Sequence, residues 1–162
     1  MGATKLGEVE SVWDYPRPPR LEASARSLRI VHGGVVIAQS SRALRILETS
    51  HPPVYYIPPA DIAMQHVVRS QRRSSYCEWK GSATYWSLSI EGVTTPDVAW
   101  SYAQPSSPFS ALRDHLAFYA SRVDECMVDC ERVEAQPGDF YGGWITSHVR
   151  GPFKGPPGTM GW

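Results

Sequence analysis

No stretch of the chain approaches the roughly 20 consecutive apolar residues that a membrane-spanning helix requires. The first residues also lack the basic-then-apolar plan of a secretory leader. The expectation is a cytoplasmic protein with no membrane partner. Cysteine is scarce, with three in 162 residues, too few and odd in number for the disulfide framework of a secreted domain. Cys126 and Cys130 lie four apart; on a strand their Cα atoms would be about 13 Å apart, beyond disulfide reach, whereas on a helix they could touch. Neither sign of charge is in excess: sixteen basic and sixteen acidic residues cancel, so no long-range field gathers polyanions and no nucleic-acid partner is expected. The basic run at 69–74, Arg-Ser-Gln-Arg-Arg-Ser, reads as a solvated loop. His-x-His and Cys-x-x-Cys pairs are missing. Glu48 and His51 have a Glu-x-x-His spacing, but that spacing converges on a helix, and Pro52-Pro53 argues against one. Neither a metal nor a cofactor is expected. There is no internal repeat.

What the chain does have is rings. Six Trp, eight Tyr and four Phe within a 42% hydrophobic composition call for a folded core, and the length fits one domain. The stretch 76–90 gathers the most reactive chemistry. Two alternating runs meet there at Lys80-Gly81-Ser82, with Cys77 and Trp79 on one face before the break and Trp86, Leu88 and Ile90 on one after it, the pattern of a β-hairpin. A second hairpin is expected where His32-Gly33-Gly34 separates Leu28–Val31 from Val35–Ala38, since a Gly pair supplies the positive φ of a tight turn. Residues 40–48 read as a third strand, with a short helix as the alternative; further strands are expected at 54–57 and 98–102, and two more around a turn at 116–119 and 126–130, with Cys126, Val128 and Cys130 facing inward. A short helical turn is expected near Asp61.

These short strands predict a mainly β fold: a small antiparallel β-barrel or strongly curled sheet with short helical turns and an irregular C-terminal tail. Residues 1–20 read as a Pro-rich arm, 21–136 as the β domain, and 137–162 as a Gly/Pro/aromatic tail packed on the same domain.

Tyr55 and Tyr56 point to opposite faces of one strand, as do Tyr85 and Trp86. Tyr56, Tyr85, Trp86, Trp100 and Tyr102 could therefore build an aromatic pocket with Arg42, Lys80 and Glu48 as polar points; the competing reading is an ordinary aromatic core. Candidate reactive groups are Lys80, Cys77, Tyr56 and Glu48. Lys80 could bind an anion or act as an amine nucleophile, or sit solvated on its turn. Cys77 could be an activated thiol or a small core residue. His32, His66, His115 and His148 are scattered. The expectation is a small-molecule-binding β domain with a small organic ligand; the alternatives are a small-molecule transferase or hydrolase, or a protein-interaction module built on the arm and tail. Exposed rings on either could also mediate a homodimer.

His-Gly-Gly-Val-Val-Ile-Ala (32–38), Pro-Pro-Val-Tyr-Tyr-Ile-Pro (52–58), Cys-Glu-Trp-Lys-Gly-Ser-Ala-Thr-Tyr-Trp-Ser (77–87), Ala-Trp-Ser-Tyr (99–102) and Ala-Phe-Tyr (117–119) together resemble the domain of unknown function 427 family. The Trp-Asp-Tyr-Pro-Arg-Pro-Pro arm and the Phe-Tyr-Gly-Gly-Trp-Ile-Thr tail resemble a longer bacterial form of it. That family usually shows Cys-Pro-Tyr-Lys-Gly where this chain has Glu78 and Trp79. The resemblance implies a compact, mainly β fold and no particular reaction. A nucleotidyltransferase would need a Gly-Ser pair followed by paired carboxylates to hold magnesium and a triphosphate, and no Asp-x-Asp or Asp-x-Glu stands in that setting.

Overall fold

The computed structural model describes residues 8–77, 79–138 and 140–162. Gly33 and Gly34, at φ 57° and 76°, turn Leu28–His32 back onto Val35–Ser40, as the Gly pair predicts. Glu125–Val128 adds to the other edge of Leu28–His32, followed by Glu131–Arg132, giving a four-stranded antiparallel sheet. Along Leu28–His32 the first three residues alternate buried, exposed, buried, which directs Leu28 and Ile30 to the core and Arg29 to solvent.

The longest hairpin joins Gly81–Ile90 to Val93–Tyr102 through Glu91 and Gly92, at φ 49° and 79°. Ala117–Phe118 flanks it on one side, and Val67–Arg69 and Ser75–Cys77 on the other. Arg20–Ala23, Leu44–Leu47 and Val54–Tyr56 form a three-stranded antiparallel sheet. Two small ladders complete the pairing: Glu134–Ala135 with Trp144–Ile145, and Glu10–Ser11 in parallel with Val149–Arg150. The helical segments among the described residues are short 3-10 turns, two of them at Pro59–Asp61 and Met64–His66. None is long and apolar enough to cross a membrane.

The fold is thus mainly β and largely antiparallel. Among the described residues, however, no pairing path closes on itself into a barrel. Prolines supply a physical reason. Pro52-Pro53 and Pro58-Pro59 bracket Val54–Tyr56, and a residue without an N–H cannot extend a ladder. Among the described residues, the isolated bridge Ile57–Leu116 is the ladder pairing between the end of that strand and the sheet of the long hairpin. A register shift between Thr95 and Ala99, with Asp97 at φ 51°, further interrupts the hairpin.

Two expectations need correction. Ala117–Phe118 and Glu125–Val128 do not pair with each other, because the 3-10 turn Ala120–Arg122 carries the chain from one sheet to another. Cys130 does not face the core: the strand ends at Val128, and Asp129 and Cys130 form a turn at φ 48° and 67°, leaving Cys130 exposed. Cys126 is buried, and burial pushes its thiol up to about 12. All three cysteines are free.

Both faces of the long hairpin are covered. Leu88, Ile90, Val98 and Ala99 join Leu28, Ile30, Phe118 and Trp144 in one apolar cluster. Ala83, Tyr85, Trp100 and Tyr102 join Tyr56, Leu112 and Tyr119 in a second. The arm meets the tail directly: Trp13 Nε1 donates to Pro152 O at 2.8 Å, and the Trp13 and Trp162 rings lie 5.4 Å apart. Beside them Arg45 bridges Glu10, at 2.9 Å for each carboxylate oxygen, and Glu22.

Candidate functional site

Cys77 is paired with Gly81, so the central turn includes Trp79 and Lys80, earlier than the expected Lys80-Gly81-Ser82, and Trp79 belongs to the turn rather than to a strand. Glu78 lies outside the described residues. Gly81 is required here: it has φ 109°, and a Cβ would stand 3.2 Å from Gln104 O. The turn is tied to the neighbouring loop, with Ser106 N donating to Lys80 O at 3.1 Å and Ser106 Oγ donating to Trp79 O.

Period-two geometry then aligns rings from three strands. Tyr56, Tyr85, Trp100 and Tyr102 face one cleft of about 160 Å³, with Ala83 and Tyr119 completing its inner wall. Val54, Ser75, Tyr76, Cys77, Lys80, Phe140 and Tyr141 also line it. Cys77 and Lys80 are half-buried. Trp100 Nε1 donates to Tyr56 OH at 3.3 Å, and the Tyr85 and Ser75 hydroxyls share a hydrogen bond. Burial raises the Tyr56 and Tyr102 hydroxyls well above the ordinary phenol value. At neutral pH both are therefore uncharged, able to donate or accept a hydrogen bond but not to attack as phenolates.

Of the residues singled out from sequence, Tyr56, Cys77, Lys80, Tyr85, Trp100 and Tyr102 converge on this cleft. Trp86 does not: it packs on the opposite cluster and donates Nε1 to Ser101 Oγ at 2.8 Å. Adjacent strand residues cannot share a face. Arg42 is engaged elsewhere, in a two-point pair with Asp61 at 2.9 Å for both contacts. Glu48 stands apart as well, its Oε2 3.8 Å from His51 Nε2 and 3.9 Å from Arg17 Nε. No group of three His, Cys, Asp or Glu among the described residues could hold a metal ion.

Sequence reasoning missed Tyr119, Phe140 and Tyr141 as lining residues. For the last two the available signal was a ring pair set between Gly138 and Gly142-Gly143, at φ 95° for Gly138 and 77° for Gly142. Gln136 anchors this segment. Its Oε1 accepts from Gly143 N at 3.0 Å, and its Nε2 donates to Lys154 O at 2.7 Å and to His51 Nδ1 at 3.1 Å. The His51 ring in turn packs edge-on against Tyr141, with centroids 4.8 Å apart.

That arrangement keeps His51 neutral. Burial, followed by the charges of Lys154, Arg17 and Lys80, pushes it down to about 4, and a proton on Nδ1 would face the Gln136 N–H. An unfolded histidine titrates near 6.5. Between the two values the unfolded chain binds more protons, so the stability associated with His51 is intact above about pH 6.5 and is lost as pH falls towards 4, by about 2–3 kcal/mol. Chemical denaturation at pH 7.5 and 4.5 checks this. The wild type should lose that much more than His51→Gln, and equal losses would refute it.

No curated protein matches the chain. A family model described as Domain of unknown function (DUF427) matches residues 20–129, a span that includes Tyr56, Cys77, Lys80, Tyr85, Trp100 and Tyr102 but stops short of Phe140 and Tyr141. The protein belongs to the DUF427 family.

Proposed function

We propose that the aromatic cleft binds a small organic molecule. The observation that carries this reading is the convergence of Tyr56, Tyr85, Trp100, Tyr102 and Tyr119 on one cleft that Lys80 and Cys77 also line. Apolar walls with a few polar points are the usual composition of a ligand site. At about 160 Å³ the space is smaller than the roughly 300–1,000 Å³ of drug-sized pockets, so it suits a single ring or a comparably small group. Native mass spectrometry of gently purified protein, followed by denaturation, tests the reading. A reproducible adduct that is lost in Tyr85→Ala supports it. An adduct that survives Tyr85→Ala, or a bare mass together with no thermal shift across a metabolite library, rejects it.

A second reading is favoured by the placement of Lys80 and Cys77 on the same cleft: an amine or thiol beside bound substrate could take part in group transfer or hydrolysis. In that case Lys80→Ala should abolish turnover of the identified ligand while leaving the fold in place.

A further inference from the structure

Cations lie against three rings of the cleft. The Arg72 guanidinium sits over the Tyr85 ring, 4.0 Å from its centroid, and that of Arg122 over Tyr119 at 4.2 Å. Lys154 Nζ stands 5.4 Å from the Tyr141 centroid. All three of these rings line the space. Arg122 also donates to Asp97 O at 2.7 Å, and Lys154 to Trp162 O at 3.4 Å, so both are held where they are. Lys80 lines the cleft itself, and no carboxylate among the described residues pairs with it. No Asp or Glu stands among the described lining residues. A cation over a tyrosine ring already engages one negative face of that ring, which leaves Lys80 as the charge that the cleft presents among its described lining residues.

Size narrows the guest further. A closed apolar cavity of about 150 Å³ holds one benzene, close to the about 160 Å³ found here. We infer that the cleft selects a small planar acid, a single six-membered ring carrying an anionic group, with the ring against the tyrosine and tryptophan walls and the anion at Lys80. This inference rests on the reading of the cleft as a ligand site, and adds to it the sign of the charge and the number of rings.

Three probes of similar size separate charge from fit: benzoate, benzyl alcohol and benzylamine, titrated into the full chain and followed by two-dimensional NMR. Benzoate should bind about tenfold more tightly than either of the others. Lys80→Met keeps the apolar stem and should bring benzoate to within about twofold of benzyl alcohol, while Lys80→Arg should preserve the preference. Because Lys80 is half-buried on a turn, neither change threatens the core. Equal or tighter binding of benzyl alcohol or benzylamine overturns the charge inference and leaves the ligand site standing, as does an unchanged preference in Lys80→Met. If none of the three perturbs signals of cleft residues, both the inference and the ligand site fall.

Discussion

Trp144→Ala is expected to destabilise the protein by about 3–5 kcal/mol, the range for removing a large buried ring. Trp144 is 1% exposed and belongs to the main apolar cluster. Its Nε1 donates to Phe118 O at 2.9 Å, its backbone N donates to Pro53 O at 2.9 Å, and the Tyr55 ring lies 5.4 Å away. Alanine would leave a cavity between two sheets and a buried carbonyl without its donor. The urea midpoint should fall by roughly 2 M. Trp162→Ala is the matched comparison, because Trp162 is only half-buried, against Trp13, and should cost less than about 1.5 kcal/mol. Equal costs for the two would mean that the segment around Trp144 is not part of the core.

The second large effect is expected at Gly142, where alanine meets two obstacles. The backbone has φ 77°, and an added Cβ would stand 2.4 Å from Trp100 Cη2 and 3.3 Å from Tyr119 Cδ1. Trp100 is buried and bonded to Tyr56, so its ring has little room to retreat. A strained backbone and an overpacked contact each cost about 1–3 kcal/mol, which puts Gly142→Ala at about 2–5 kcal/mol by denaturant titration. Since Trp100 and Tyr119 are walls of the cleft, the affinity of any cleft ligand should fall with it. Gly158→Ala isolates the backbone part: φ is 90° there, but nothing lies within 4 Å of the added carbon. If the two substitutions cost the same, Gly142 does not pack on Trp100.

Local chemistry made part of this architecture legible. The Gly33-Gly34 turn could be read because tight hairpins need positive φ, and alternation separated Tyr55, in one apolar cluster, from Tyr56, in the other. The same alternation speaks against Trp86 sharing the cleft with Tyr85, since neighbours on a strand face opposite ways. Alternation tells which way a residue faces and not which strand it meets. That is why Ala117–Phe118 and Glu125–Val128 read as partners although they lie in different sheets. The chemistry of Arg42 and Glu48 alone points to the cleft, and ion pairs with Asp61 and Arg17 hold them elsewhere. Phe140 and Tyr141 follow no period. Their place at the cleft comes from long-range anchoring by Gln136, which leaves no pattern in the sequence, and from the close fit of Gly142 against Trp100, which shows there only as a glycine beside the ring pair.

The meeting of arm and tail bears on the order in which the molecule assembles. Trp13 and Pro152, joined by a hydrogen bond, are 139 positions apart, and closing a loop of that size costs roughly 2 kcal/mol more in chain entropy than closing a ten-residue hairpin. Such a contact becomes favourable only once the sheets between have formed, so it belongs to the last stage of folding and the first stage of loosening. The tail that closes there also brings Phe140 and Tyr141 to the aromatic cleft. If the cleft takes the proposed guest, the breathing of this one peripheral seam would set how fast that guest enters and leaves.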